Sequence, residues 1–276
     1  MELVKPDPLI MDGKAHYTLT SYDPVSVEVD VPRTTDEDVT YAMQVTILQA
    51  GGGPAQLFDD LWIREHLGVA NADELRAEVR NQLDAMNAHL VEEQKAARCA
   101  DALASRLVQR VPEAQVQQTR QTLSQSFALS LTQNGTTAEE FFMQTGMRRE
   151  EFEAMLDQQA QTSARHEAAI DAWATQRKIT VSDEELPRYL GAQAEDAEKL
   201  LREVSAHGQL EQARQAAVRN KAMETVVAEC ACTYRHQTPE EAAKRAASMR
   251  DEQRAMLHRM EQQRDGAEGH PHLRLV

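Results

Sequence analysis

Between positions 112 and 178 the chain carries two helical periodicities joined by a short apolar segment, and this arrangement narrows the possible folds more than any other feature. On the first, 113–133, Val116, Leu123, Phe127 and Leu131 recur at spacings of four and seven, one stripe of a 3.6-residue period. On the second, 149–177, apolar side chains gather at the ends: Phe152, Met155 and Leu156 at one, Ile170 and Trp173 at the other. Small and polar residues fill 157–169, and the joining segment holds Phe141, Phe142 and Met147. A hairpin that is apolar at its tip and thin in its middle is patterned as an arm, not as a globular core.

Composition fits that pattern. Only 4% of the residues are aromatic, and alanine, glutamine, glutamate and arginine dominate the middle of the chain. Alanine brings high helix propensity and little buried area, so long helices with thin cores follow. One of them is expected over 71–110, capped by Asn71, with Leu75, Val79, Leu83, Met86, Leu90, Ala97, Ala100, Leu103 and Leu107 on one face. Such a helix spans roughly 55–60 Å, and Pro112 ends it.

The first fifty residues differ in texture. Segments 14–22, 25–31 and 39–49 are β-branched and alternating, with Val25, Val27, Val29 and Val31 on one face and Val39, Tyr41, Met43, Val45 and Ile47 on another, so all three read as strands. They bury little alone and should pack on the helical part or pair with another copy. Gly51, Gly52, Gly53 and Pro54 mark a linker; no Gly-Lys-Ser/Thr follows to make a phosphate loop. After it come a short helix over 57–67 closing on Gly68, the long helix and the arm, whose tip helix is capped by Thr136 or Thr137 with Glu140 in reach. Ser182 with Glu185 signals a helix that Pro187 and Gly191 interrupt; helical pattern resumes over 192–206 and 210–230. A charged helix over 239–263 and a disordered end complete the chain. The expected fold is mainly α with a small N-terminal β-rich segment (α+β), an elongated helical body bearing protruding hairpins. Its divisions are 1–52, 53–235 with the arm at 112–178, and 236–276.

A formal charge of −15, spread along the chain, argues against nucleic-acid and anionic-membrane partners. No run of 18 apolar residues exists and the N-terminus lacks a secretory pattern, so a cytoplasmic protein is expected. Three cysteines give no even disulfide framework. Cys230 and Cys232 form a Cys-x-Cys without the second pair that structural zinc requires, and Cys99 sits on the long helix as a packing residue. Histidines are scattered, and the paired glutamates are adjacent only, pointing about 100° apart on a helix. No cofactor, no metal and no catalytic constellation is expected.

Several segments in order resemble the C-terminal helical domain of trigger factor, the bacterial folding chaperone. They are Asp59-Asp60-Leu61 with Leu67-Gly68-Val69 and Glu74 to Arg80; Val111-Pro112-Glu113; Gln144-Thr145-Gly146-Met147 with Glu150-Glu151-Phe152; Ile179 to Leu186; and Gly208 to Arg214. The strands read over 25–31 and 39–49 resemble the last strands of that family's peptidyl-prolyl isomerase domain, which would leave a remnant without a proline pocket. The family's Gly-Phe-Arg-x-Gly-Lys ribosome-docking loop has no counterpart here, and the segment 186–207 departs from the family's continuous helix.

The resemblance implies an ATP-independent chaperone or holdase for unfolded or nascent polypeptide, not an enzyme, with ribosome docking in doubt. It implies a client-touching surface on or near Leu123, Phe127, Leu131, Phe141, Phe142, Met147, Phe152 and Met155. Methionine and phenylalanine at a tip suit such contact. The same side chains could instead hold the hairpin together or bury in a partner subunit, and a homodimeric scaffold using the arms as a clasp is the alternative.

Overall fold

The computed structural model describes residues 5–11, 14–193, 196–206 and 208–245. By internal contacts the chain divides into two units, 1–27 with 95–232 and 28–94 with 233–276. The elements in order are β1 (Leu9–Met11), β2 (Lys14–His16), β3 (Ser26–Val31), α1 (Asp36–Gln49), a 3-10 turn (Pro54–Phe58), α2 (Asp60–Leu67), α3 (Ala72–Ser105), α4 (Glu113–Gln133), α5 (Ala138–Thr145), α6 (Arg149–Arg177), α7 (Leu186–Tyr189), α8 (Ala197–Ala206), α9 (Leu210–Glu229) and β4 (Ala231–His236). The chain is mainly helical with a small β content, as its composition requires.

In the first unit α6 is the common wall. Leu156, Ala160, Ala164, Ala168 and Ala172 recur every fourth residue and all are buried. A ridge of methyl groups brings neighbouring helices close while contributing little area per residue, so the helix gains its packing from proximity. Beyond the ridge, Trp173 is 1% exposed among Cys99, Leu103, Leu107 and Val226. Its indole N–H donates to Thr225 Oγ1 at 3.2 Å, and the Arg177 guanidinium lies 4.5 Å above the ring. The amino-terminal segment joins this core: Tyr17, Leu19 and Val25 pack in it, and Leu19 forms a bridge to Leu107. So this part of the β-rich start packs on the helices of its own chain. The hairpin β1–β2 pairs Leu9 with His16 and leaves Leu9, Ile10 and Met11 exposed.

Helix α9 lies against α6 through an ionic clamp. Arg219 donates to both carboxylate oxygens of Asp171 and to Glu167. Toward its start α9 covers a smaller cluster of Val181, Leu186 and Ala217, laced by Lys221 to Glu185 and Arg214 to Asp183. Pro187 and Gly191 do interrupt the helix here: α7 is a single turn, and Gly191 takes a positive φ of 79°.

The second unit corrects one expectation. Residues 39–49, read as a strand, lie in α1. Val39, Met43 and Ile47, three members of the alternating set, are also spaced by four, and they are the face that α1 buries against Leu57, Ile63, Leu75 and Val79. The start decides between the two periods. Thr35 and Asp38 form a capping box, with the Asp38 N–H donating to Thr35 Oγ1 at 3.1 Å and the Thr35 N–H to Asp38 Oδ2 at 2.9 Å, ahead of three acidic residues in the first turn. The likeness to isomerase-domain strands therefore fails over 39–49. The glycine run that follows is a tight turn: the Gly52 N–H bonds Ile47 O at 2.9 Å, and the residue sits against Trp62.

Two further differences concern ends. Helix α3 stops at Ser105, earlier than the periodicity suggests, because Leu107 leaves it to meet Leu19. Strand β4, pairing with β3, has no counterpart in the sequence reading, which ran from a helix into the tail. Of the charged helix expected over 239–263, residues 239–245 are helical; the rest, and the end expected to be disordered, lie outside the described residues.

Candidate functional site

The hairpin of α4 and α6, closed by α5, has the boundaries its periodicity predicts. Not one residue of α4 is fully buried, so α4 rests on α6 alone for most of its packing. Cross-links hold the two together. Arg120 of α4 bridges Glu153 and Asp157 of α6, and these hydrogen bonds raise its already high pKa further, that from Asp157 most.

At the tip, four of the chain's five phenylalanines meet. Phe127 of α4 lies 5.1 Å from Phe141 of α5 and 4.7 Å from Phe152 of α6, ring centre to ring centre. Phe142 stands edge-on to Phe141 at 5.5 Å and to Phe152 at 5.6 Å. Each edge-to-face pair adds about 0.5–1.5 kcal/mol beyond area burial, enough to hold a one-turn-per-side junction in one arrangement. All four rings are half-buried, as are Leu123, Leu131 and Met147. The structure thus brings the four phenylalanines of the expected set together, as the packing of the hairpin's end.

Sulfur and aliphatic groups are what the tip leaves open. Met155 is 50% exposed, Met143 77% and Leu129 59%. Met143 and Leu129 were absent from the expected set. Met143 lies inside the tip segment, where its neighbours Phe141 and Phe142 overshadowed it. Leu129 sits off the stripe, two residues from both Phe127 and Leu131, and only an off-stripe apolar residue on an otherwise polar face could have signalled it.

Local chemistry explains the tip's shape. The Thr137 N–H donates to Glu140 Oε2 at 2.8 Å and the Glu140 N–H to Thr137 Oγ1 at 3.2 Å, a capping box that starts α5. Gly146 ends it with a positive φ of 68°, a conformation that favours glycine. At the start of α6 the Arg148 N–H donates to Glu151 Oε2 at 3.1 Å and its guanidinium to Glu151 Oε1 at 2.6 Å, so one carboxylate takes both. The carboxyl of Glu140 is held below its ordinary range by the Thr137 N–H and then its hydroxyl; Glu151 is lowered by the Arg148 guanidinium and then its N–H. Both carboxylates are therefore held in their charged form at the starts of the two tip helices. The arrangement provides adaptable apolar contact with polar groups beside it.

A model of the C-terminus of the bacterial trigger factor protein matches residues 71–228. The chain belongs to the trigger factor C-terminal family. That match begins at the residue before α3, runs to within a residue of the end of α9 and has the hairpin at its centre. Over 138 residues the chain is 23% identical to the trigger factor of Halalkalibacterium halodurans, an alignment covering 50% of this chain and 32% of that one. The chain thus spans about a third of the length of the curated relative it matches. Helix α1 and the β1–β2 hairpin lie outside the part that the trigger factor model covers.

Proposed function

We propose that the chain is an ATP-independent chaperone that holds unfolded or nascent polypeptide, with the hairpin tip as one capture surface. Family membership supports the class of activity. The observation that carries the site is the exposure of Met143, Met155 and Leu129 around a self-packed aromatic cluster. Flexible thioethers accept many apolar side chains without demanding one geometry, whereas the phenylalanines, engaged with one another, hold the methionines in place. Within this reading Phe127, Phe141, Phe142 and Phe152 position the surface, and Leu123, Leu131 and Met147 back it. The reading includes no catalytic step and no cofactor; proline isomerisation by the purified chain would overturn that part.

A refolding client with light-scattering readout tests the proposal. Suppression of aggregation at equimolar chain is expected, together with its loss in a Leu129→Ser, Met143→Ser, Met155→Ser variant whose helical circular dichroism is unchanged. Equal suppression by that variant would move the capture surface elsewhere, and no suppression by the native chain would remove the function.

A second reading, assembly with another copy, draws on β1. Three consecutive large apolar residues there, Leu9, Ile10 and Met11, are 70%, 64% and 54% exposed on a two-stranded sheet. Sedimentation of the native chain beside an Ile10→Lys variant separates the readings: a dimer that this change dissociates favours assembly.

A further inference from the structure

A groove of about 590 Å³ opens between α1 and α3, inside the second unit. Tyr41, Ala42 and Val45 line it from α1, and Leu83 and Met86 from α3. The α1 residues lie beside the stripe of Val39, Met43 and Ile47 that the helix buries, so α1 carries a second apolar face next to its first. Met86 is 53% exposed and Leu90, one turn further along α3, is 41% exposed, so the apolar strip of α3 is open.

The chain itself leads into this groove. After β4 the Thr238 N–H donates to Glu241 Oε2 at 2.8 Å and the Glu241 N–H to Thr238 Oγ1 at 3.2 Å, a capping box that starts a helix. That helix is anchored at once. Ala242 is fully buried, and Arg245, the last of the described residues, lines the groove, donating to Asp38 of α1 at 2.8 Å and to Arg33 O at 3.1 Å. From Ala242 the sequence continues one helical stripe in phase: Ala246, Met249, Gln253, Met256 and Met260 follow at alternating steps of four and three. Arg245 lies three residues after Ala242 and four before Met249, so the face that meets α1 is the face that carries the methionines. Charge agrees. Helix α1 has three acidic residues and no lysine or arginine, whereas 244–264 holds six lysine or arginine residues against three acidic ones, in a chain of net charge −15.

We propose that residues 246–260 of this chain continue the helix begun at Pro239 and lie along the groove, seating Met249 and Met256 between α1 and α3. The lengths match. At a rise of about 1.5 Å per residue, Met249 comes roughly 6 Å and Met256 roughly 16 Å beyond Arg245, while the lining face of α1 from Asp38 to Thr46 runs roughly 12 Å. Unbranched thioethers suit an irregular seat walled by Tyr41, Val45 and Met86. Seating takes the open strip of α3 out of water and makes the segment part of the second unit. An unfolded polypeptide then meets this apolar face already filled.

The full chain is prepared with the photoreactive residue p-benzoylphenylalanine at the position of Met86 and, separately, of Val45, irradiated, digested and mapped by peptide mass spectrometry. Both probes should link to a peptide within 246–260 of the same chain, and a mixture of isotopically light and heavy chains should give no mixed links. Adding Met249→Asp and Met256→Asp should lower the yield severalfold with helical circular dichroism retained. A mixed link would give the groove to a second copy, and a link to an added unfolded client in place of 246–260 would give it to clients; either result, or no link to 246–260 from both positions, overturns the proposal. Hydrogen exchange of the native chain keeps the test independent of any variant: amides of 249–256 should exchange severalfold more slowly than those of a free peptide of the same sequence, and equal rates would overturn the docking.

Discussion

Arg219 and Asp171 join α9 to α6 through two parallel hydrogen bonds, Nε to Oδ1 at 2.8 Å and Nη2 to Oδ2 at 2.7 Å. A third, Nη1 to Glu167 at 2.7 Å, reaches one turn back along α6. The guanidinium is about a quarter exposed, as is Asp171, so the pair is screened less than a surface bridge. Truncation would leave two carboxylates facing each other without their shared cation. Arg219→Ala should lower stability by about 2 kcal/mol. Arg219→Lys, which keeps the charge but loses the fork, should fall between the two. Urea titrations followed by Trp173 fluorescence check this, and equal midpoints for the alanine variant and the native chain would refute it.

The alanine ridge of α6 makes an opposite prediction, about too much side chain instead of too little. Ala164 is fully buried at the centre of the ridge. Ala164→Leu adds three carbons where methyl contact sets the helix spacing, and a cost of about 1–3 kcal/mol is expected from overpacking. Ala164→Ser, nearly isosteric, should cost less. Thermal denaturation of both measures it; a leucine variant as stable as the native chain would show that the ridge faces a void.

Helix periodicity carried the hairpin because α4 leans mainly on α6, its neighbour in sequence, so the local pattern and the tertiary contact coincide there. Where contacts come from distant segments the pattern was ambiguous. Val39, Met43 and Ile47 satisfy both a two-residue and a four-residue period, and the helix start together with the partners Leu57, Ile63, Leu75 and Val79 chooses between them. The Thr35–Asp38 capping box was present as a signal and outweighs the β-branched composition behind it. Strand β4 was hidden for the same reason, since its pairing partner, β3, lies some 200 residues away. At the tip, composition identified which residues gather; which of them turn outward depends on ring packing that one sequence does not display.

Gly52 offers a test of the second unit. A Cβ there would lie 2.7 Å from Ile47 Cγ2 and 2.7 Å from the Trp62 ring, both well inside contact distance. Either the indole shifts or α1 does. Gly52→Ala should destabilise by about 1–3 kcal/mol and change Trp62 emission in the folded state. A Trp173→Phe background isolates that signal, and unaltered emission with unaltered stability would mean that the turn opens freely.

Glu140 links the tip to pH. Its carboxylate accepts from the Thr137 N–H and hydroxyl and is lowered from an ordinary 4.5, so the charged form is the one the fold prefers. A lowered folded value contributes stability above the unfolded value and loses it as pH falls through the folded one. The first turn of α5 should therefore stay intact through the ordinary glutamate range and loosen only as the pH falls below it. The amide proton of Thr137, hydrogen-bonded to that carboxylate, reports it directly by nuclear magnetic resonance. Its chemical shift should titrate with an inflection below 4.5 in the native chain, and the inflection should vanish in Glu140→Gln. Glu151, lowered by Arg148 on the other side of the tip, should keep its own titration in that variant. An inflection at or above 4.5 for Thr137 would mean that the capping box does not hold the charged carboxylate, and the tip helix would then depend on the phenylalanine cluster alone.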